Sequence, residues 1–285
     1  MACYHPIPAY ADLGVEPRLH PPVGHANLNL PCGSCLGCKT DRATEWARRA
    51  EHEAKMWKYN CFLTLTYDEE HKPKNGHLQP EDLQRFIKRL RSAVARDGDK
   101  YLATGARSLR YLACGEYGDR TWRPHYHLLV FNLGFNEVYE TGKNLYQSPD
   151  LAKIWPEGQH KIGTVTGASA NYVAQYTLKK IGKTHYDQNG VIYPAPFLRV
   201  STKPPIGQKW LTKYKSDLGN GYLVTNGIKG RVPRAYKKML EKMGETQLLA
   251  EINYNASRYP RGETNLEAAE TIHASRAAQA QSRTL

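Results

Sequence analysis

Two histidines separated by one residue, in Arg123-Pro124-His125-Tyr126-His127-Leu128-Leu129-Val130-Phe131, are the first candidates for chemistry in this chain. On a strand, side chains at i and i+2 share a face and lie ~7 Å apart, so both imidazoles can reach one cation. A carboxylate follows the same logic. Glu116, in Cys114-Gly115-Glu116-Tyr117, sits on the preceding strand of a predicted hairpin, and antiparallel pairing can set it beside the histidines. Its place depends on register, because a slip of one residue turns it to the other face. Two imidazoles and one carboxylate fill only part of a divalent ion's shell. The open positions suit Mg²⁺ or Mn²⁺ with water or a phosphate oxygen of a phosphodiester substrate.

The second candidate is a nucleophile. In Asn171-Tyr172-Val173-Ala174-Gln175-Tyr176-Thr177-Leu178-Lys179-Lys180, helical spacing puts Tyr172 and Tyr176 one turn apart, with Lys179 projecting between them. A phenol with a pKa near ~10 is a weak nucleophile. A neighbouring ammonium and a metal-polarised phosphate would stabilise the developing charge, which makes this a phosphoryl-transfer helix. The competing reading is two packing aromatics with lysines that favour the helix C-terminus.

A third group, Cys32-Gly33-Ser34-Cys35-Leu36-Gly37-Cys38, has metal-ligand spacing. Cys3, or one of His5, His20 and His25, would complete a tetrahedral structural Zn²⁺ site; the alternative is three reduced thiols in a glycine-rich turn. Cys61 and Cys114 fall in predicted strands and read as small core residues.

The elements that must position these groups are legible in the apolar spacing. Ala43, Trp46, Ala47, Ala50, Ala54 and Trp57 predict an amphipathic helix from Thr40 to about Lys58, capped by Thr40 or Asp41. Cys61 to Tyr67 is β-branched and aromatic, hence a strand. Leu83, Phe86, Ile87, Leu90 and Val94 mark a helix entered at Pro80. Strands near Leu109–Gly115 and Pro124–Asn132 flank Gly118–Trp122 as an antiparallel hairpin. A brief helix follows Ser148, then a strand near His160–Thr166 and a helix from about Ser169 to Ile181, ended by Gly182. This order predicts an α+β fold, a ferredoxin/RRM-like antiparallel sheet with flanking helices. Four segments are expected: 1–39, an extended N-terminal arm with the cysteine cluster; 40–183, the core; 184–260, an α/β C-terminal extension with a helix over Pro233–Met243; and 261–285, a peripheral helix or frayed tail.

The chain has 285 residues, with 40 Lys and Arg against 27 Asp and Glu, for a formal charge of +13. That excess suits a phosphate-backbone binder. Among aromatics Tyr dominates, with 19 against 5 Trp and 5 Phe, and amphipathic rings of this kind can stack on unpaired bases. The basic segment 199–238, from Arg199 to Lys238, is a candidate for DNA or a solvated surface. Apolar content of 40% excludes wholesale disorder. The longest apolar run, Leu128 to Phe131, excludes a membrane span. The first residues lack a secretory pattern, so a cytosolic location with reduced cysteines is expected. Ile181-Gly182-Lys183-Thr184 lacks the glycine and the preceding strand of a phosphate-binding loop.

Taken together, the motifs resemble those of the HUH endonucleases, and within them the replication initiators of the Microviridae, close to the gokushovirus type. Phe62–Tyr67 resembles the first motif strand, Arg123–His127 the metal motif, and Tyr172–Tyr176 with Lys179-Lys180 the two-tyrosine motif. Pro31–Cys38 and Arg199–Gly207 resemble flanking blocks of these phage proteins. The resemblance implies an HUH nuclease core that nicks single-stranded DNA at the replication origin. One tyrosine would form a 5′-phosphotyrosyl link and release a 3′-hydroxyl primer, and the second would act when the circle is rejoined; which acts first stays open. It also implies a cytoplasmic location in the bacterial host, host helicase and polymerase as partners, and no membrane. A non-enzymatic RRM-like single-stranded nucleic-acid-binding protein is the alternative, and it gives the histidines and paired tyrosines no role.

Overall fold

A computed structural model describes residues 3–12, 17–19, 26–105, 108–118, 121–180, 185–186, 192–225, 227–258 and 265–282, apart from the side chains of 176–180, 185–186 and 280–282. The predicted roles of Gly182, His20 and His25, and the stretch Ile181–Thr184, lie outside the described residues. The elements are β1 (Ile7–Tyr10), β2 (Arg18–Leu19), β3 (Leu28–Leu30), α1 (Leu36–Ala54), β4 (Asn60–Tyr67), α2 (Pro80–Arg96), β5 (Arg110–Tyr117), β6 (Pro124–Phe131), β7 (Tyr139–Gly142) and β8 (Leu145–Gln147). They continue with α3 (Pro149–Ile154), β9 (Gly158–Thr164), α4 (Gly167–Lys180), β10 (His185–Tyr186), β11 (Ile192–Tyr193), β12 (Phe197–Val200), α5 (Gln208–Tyr214), β13 (Tyr222–Thr225), β14 (Ile228–Arg231), α6 (Arg234–Lys242), α7 (Thr246–Ser257) and α8 (Leu266–Ser282). The chain forms two compact units, Met1–Thr44 with Tyr259–Leu285, and Glu45–Arg258. No described helix is long and apolar enough to cross a membrane.

The fold is α+β, as expected. In the larger unit seven strands form one antiparallel sheet in the order β12-β5-β6-β4-β9-β8-β7. β4 shows why a sheet forms here: Cys61, Leu63, Leu65 and Tyr67 are buried while the residues between them are half-buried, the period of two that a pleated strand imposes. Those four pack with Tyr126, Leu128 and Val130 of β6 against Leu83, Phe86, Ile87 and Leu90 of α2 and Trp155 after α3. The other face carries α4, whose Ala170, Val173 and Ala174 are buried. The β7–β8 hairpin was not foreseen, because its strands are short and leave no buried alternation to read.

The smaller unit departs from the expected arm and helix. Residues read as an extended arm contain three short paired strands in the order β2-β1-β3. α1 begins at Leu36, not Thr40, so Thr40 and Asp41 lie inside the helix rather than capping it. The cap is a sulfur: the Cys38 amide donates to Cys35 Sγ at 3.4 Å, the bond an N-cap oxygen ordinarily accepts. At its other end α1 stops at Ala54 rather than Lys58. There the Asn60 side-chain amide donates to the carbonyls of Ala54 and Trp57, at 3.1 and 3.2 Å, and turns the chain into β4.

The segment after β12 has its own core, built from Trp210, Leu211, Leu218, Leu223, Val232, Tyr236, Leu240 and Ile252. Its basic residues are partly engaged within the protein, as with Lys209 over the Trp57 ring at 3.8 Å and Lys229 over Tyr222 at 3.6 Å. His52 of α1 stacks on Trp210 with ring centroids 3.7 Å apart, and its Nδ1 lies 2.9 Å from the Tyr236 hydroxyl. Burial, helped by Lys55 and Arg48, pushes this imidazole down from 6.5 to about 3. The unfolded chain therefore binds a proton that the folded chain refuses between those values. Stability should be complete above the unfolded value and fall with pH below it, by up to about 1.4 kcal/mol per pH unit. Urea melts at pH 7 and pH 5 check this; His52→Phe should keep the stack and flatten that part of the slope.

Candidate metal and nucleophile site

The site is assembled from three neighbouring strands and one helix of the larger unit. β6 lies between β5 and β4, and the register pairs Glu116 with His125, Cys114 with His127, Thr66 with His125 and Thr64 with His127. Alternation therefore places Glu116, His125 and His127 on one face. Glu116 Oε1 lies 2.9 Å from Nε2 of both histidines. The register question left open by the sequence is resolved in favour of Glu116.

That face is not left open to solvent, as the strand pattern alone suggests. His127 is buried, as are Leu129 and Phe131 along the same edge of β6, because α4 covers them. α4 can lie close for two reasons. Ala170 and Ala174 present small side chains toward the sheet, and its first turn is fixed by reciprocal bonds between Thr166 and Ser169: the Thr166 amide donates to Ser169 Oγ at 2.8 Å and the Ser169 amide to Thr166 Oγ1 at 3.2 Å. Tyr172 then extends past the edge of the covered face. Its ring is 40% exposed, and its hydroxyl donates to Glu116 Oε1 at 3.2 Å and lies 3.5 Å from His127 Nε2.

Both imidazoles are held by their far nitrogens. His125 Nδ1 lies 3.1 Å from the Arg123 carbonyl oxygen and His127 Nδ1 lies 3.0 Å from Thr64 Oγ1, leaving both Nε2 atoms aimed at Glu116. A carbonyl only accepts, so Nδ1 of His125 carries the hydrogen, and in a neutral ring Nε2 is a lone pair directed at a carboxylate oxygen. Such an arrangement needs a cation, a proton or a metal ion, between the acceptors. Burial would raise the Glu116 carboxyl, but its contacts with His125 and His127 outweigh that and hold it below the usual range. Burial pushes His127 down, against the pull of Glu116. The second carboxylate oxygen of Glu116 is buried with no hydrogen-bond partner among the described residues. A ligand cage with an orphaned oxygen and outer anchors on both rings fits a divalent ion.

Residues that sequence reasoning passed over complete the site. Thr64 orients His127, and Phe62 stacks on the His127 ring at 5.5 Å and meets Tyr172 edge-on at 6.3 Å. Their signal was present as the alternation Phe62, Thr64, Thr66, but only strand pairing shows what they face. Cys114 shares the face, opposite His127; burial and the Glu116 charge keep its thiol protonated, consistent with the core role expected for it and for buried Cys61. Tyr176 and Lys179 lie on α4 one and nearly two turns beyond Tyr172, and their side chains are outside the described residues. Gly115 is constrained by packing: a Cβ there would stand 2.7 Å from the Phe197 ring of β12 and 3.1 Å from Leu78. Gly115→Ala is expected to cost about 1–3 kcal/mol by overpacking, read as a lowered melting temperature. It should weaken metal binding too, since Glu116 is the next residue.

Among known families, the model for replication-associated proteins of the ORF2 type matches residues 60–181, the stretch from β4 through α4 that holds the whole site. The chain is 40% identical over 224 residues to Replication-associated protein VP4 of Bdellovibrio phage phiMH2K, covering 76% of this chain and 69% of that protein. It is 35% identical over 231 residues to Replication-associated protein ORF2 of Spiroplasma virus 4, with the same two coverages. To Replication-associated protein ORF4 of Chlamydia phage 1 it is 29% identical over 231 residues, covering 78% of this chain and 56% of that protein. No solved structure matches the chain. With relatives this similar over more than two thirds of their length, the chain belongs to the replication-associated protein family of the Microviridae.

Proposed function

We propose that the protein starts rolling-circle replication by nicking and rejoining single-stranded origin DNA, with Tyr172 as first nucleophile beside a divalent cation held by Glu116, His125 and His127. The observation that carries this reading is the Tyr172 hydroxyl, 3.2 Å from the carboxylate oxygen on which both imidazoles converge. Family membership supports the replication role. The strand order β5-β6-β4-β9 supports an HUH-type ferredoxin-like core, since α2 and α3 each join parallel strands separated by one antiparallel neighbour.

Two nitrogens and one carboxylate, with positions left over, suit Mn²⁺ or Mg²⁺; when bound, the cation polarises the scissile phosphate and offsets the charge that builds on it. Tyr172 attacks phosphorus through its phenolic oxygen, forming the Tyr–O–P bond while the bond from phosphorus to the 3′ oxygen breaks. Its proton leaves to solvent, which reaches the ring. The departing 3′ oxygen takes up a proton and becomes the primer, and the 5′ end stays on the protein. Tyr176, one turn along α4, is the second nucleophile for the regenerated junction, and Lys179 is the cation placed to offset phenolate charge there. The work is done in the cytoplasm of the bacterial host, with a host helicase to unwind and a host polymerase to extend.

The test incubates the full chain with labelled single-stranded DNA spanning the origin of its own replicon and Mn²⁺, then resolves the products under denaturing conditions. A protein–DNA adduct that disappears with chelator and in Tyr172→Phe/Tyr176→Phe is expected. Salt-sensitive binding with no adduct on any origin strand overturns the enzymatic reading and leaves a binding module.

A further inference from the structure

We infer that Cys3, Cys32, Cys35 and Cys38 of the smaller unit hold a structural zinc ion, a site with no part in the strand-transfer chemistry. The four sulfurs lie within 4.8 Å of one another. Cys32 Sγ and Cys38 Sγ are 4.0 Å apart, as are Cys3 Sγ and Cys35 Sγ. Four sulfurs at ~2.3 Å from one zinc ion form a tetrahedron with edges of about 3.8 Å. A disulfide would need ~2.05 Å. The separations therefore match a shared ion and exclude pairing of these sulfurs into bridges as they stand.

The backbone around the sulfurs is arranged for negative charge. The amide of Cys32 is directed at Cys3 Sγ (3.2 Å), that of Cys35 at Cys32 Sγ (3.4 Å), and those of Cys38 and Tyr4 at Cys35 Sγ (3.4 and 3.5 Å). Thiols accept hydrogen bonds weakly, whereas thiolates bound to a cation accept them well. Gly33, with φ of +78°, makes the reversal that folds Cys35 back over Cys32. Cys35 caps α1 and Cys38 lies in its first turn, where the helix dipole favours anions. Three of the four are buried, Cys3 at 2%, Cys35 at 8% and Cys38 at 7% exposure, so four thiolates without a cation would be an uncompensated charge cluster.

The fold of this unit gives the ion its purpose. β1, β2 and β3 are two to four residues long, and the apolar cluster beside them is made of the cysteines themselves with Tyr4. So small a core holds together poorly without a cross-link, and metal affinity then becomes folding free energy. Four protein ligands leave no open position, which marks a structural rather than a catalytic ion. The residues after Cys3 also meet α8: the Tyr4 hydroxyl lies 2.8 Å from His273 Nδ1, and His5 Nε2 lies 2.8 Å from Glu270. Removing the ion should release those contacts as well.

The test purifies the full chain without chelator, measures its metal content and replaces the metal with Co²⁺. Expected are one zinc per chain, a Co²⁺ spectrum with intense tetrahedral ligand-field bands and sulfur-to-cobalt charge transfer, and loss of both in Cys35→Ser but not in Glu116→Gln. If Cys35→Ser does not fold, the wild-type cobalt spectrum decides. A zinc-free wild type, iron in place of zinc, a cobalt spectrum without sulfur charge transfer, or full zinc retention in soluble Cys35→Ser would each overturn the assignment.

Discussion

Tyr172→Phe is expected to slow formation of the first protein–DNA adduct by about 10³-fold or more while leaving the protein folded and able to bind metal. The substitution removes the atom that attacks and little else. The ring keeps its edge contact with Phe62 and its T-shaped contact with His127, at 6.3 and 5.1 Å. What is lost is a hydrogen bond from a half-exposed hydroxyl to Glu116, worth about 1 kcal/mol, or about 2–4 °C of melting temperature for a chain of this size. Tyr176→Phe should leave the first cleavage near the wild-type rate and stop the rejoining step. Rates on a fresh origin strand and on a pre-nicked junction separate the two. The reverse pattern, with Tyr176→Phe abolishing first cleavage, would reassign Tyr172 to the second step.

The second large effect is expected at Glu116. Glu116→Gln keeps the shape and removes the anionic ligand, so Mn²⁺ affinity should drop and metal-dependent nicking should fall roughly 10²–10³-fold. Metal-free stability should change little, by about 1 kcal/mol or less, because the carboxylate is a buried charge with one oxygen unpartnered among the described residues. His127→Ala should behave differently. It opens space under α4 and leaves the buried Glu116 charge with one imidazole fewer, which costs about 3 kcal/mol or more. Melting curves with and without Mn²⁺, beside nicking rates, distinguish ligand loss from unfolding. Wild-type Mn²⁺-dependent nicking by Glu116→Gln would remove that residue from the metal centre.

The contrast between these variants reflects what kinds of pattern a sequence carries. Cys61–Tyr67 announces a strand because alternation repeats within a few residues, and α2 announces itself because Leu83, Phe86, Ile87 and Leu90 recur at helical spacing. The same local rules put His125 and His127 on one face and placed Tyr172 on a helix. They failed at α1, where the first turn is capped by a cysteine sulfur that no capping rule for oxygen side chains includes. They failed again for the His face, since alternation says which residues share a side and nothing about what covers it.

By itself, then, the sequence determined the α+β order of elements, the strand bearing the two histidines, the helix bearing the two tyrosines and the spacing of three cysteines. Tertiary structure alone decided that Glu116 rather than a neighbour meets the imidazoles, that Thr64 and Phe62 attend His127, that α4 closes over the site, and that Cys3 joins the other three sulfurs. The division has one physical cause. Strand and helix periods are set by backbone geometry over a few residues, whereas these contacts join residues 9 to 63 positions apart, such as Glu116 with His125 and Thr64 with His127. They depend on strand register and on helix placement, which are fixed only when the two faces of the sheet are buried together.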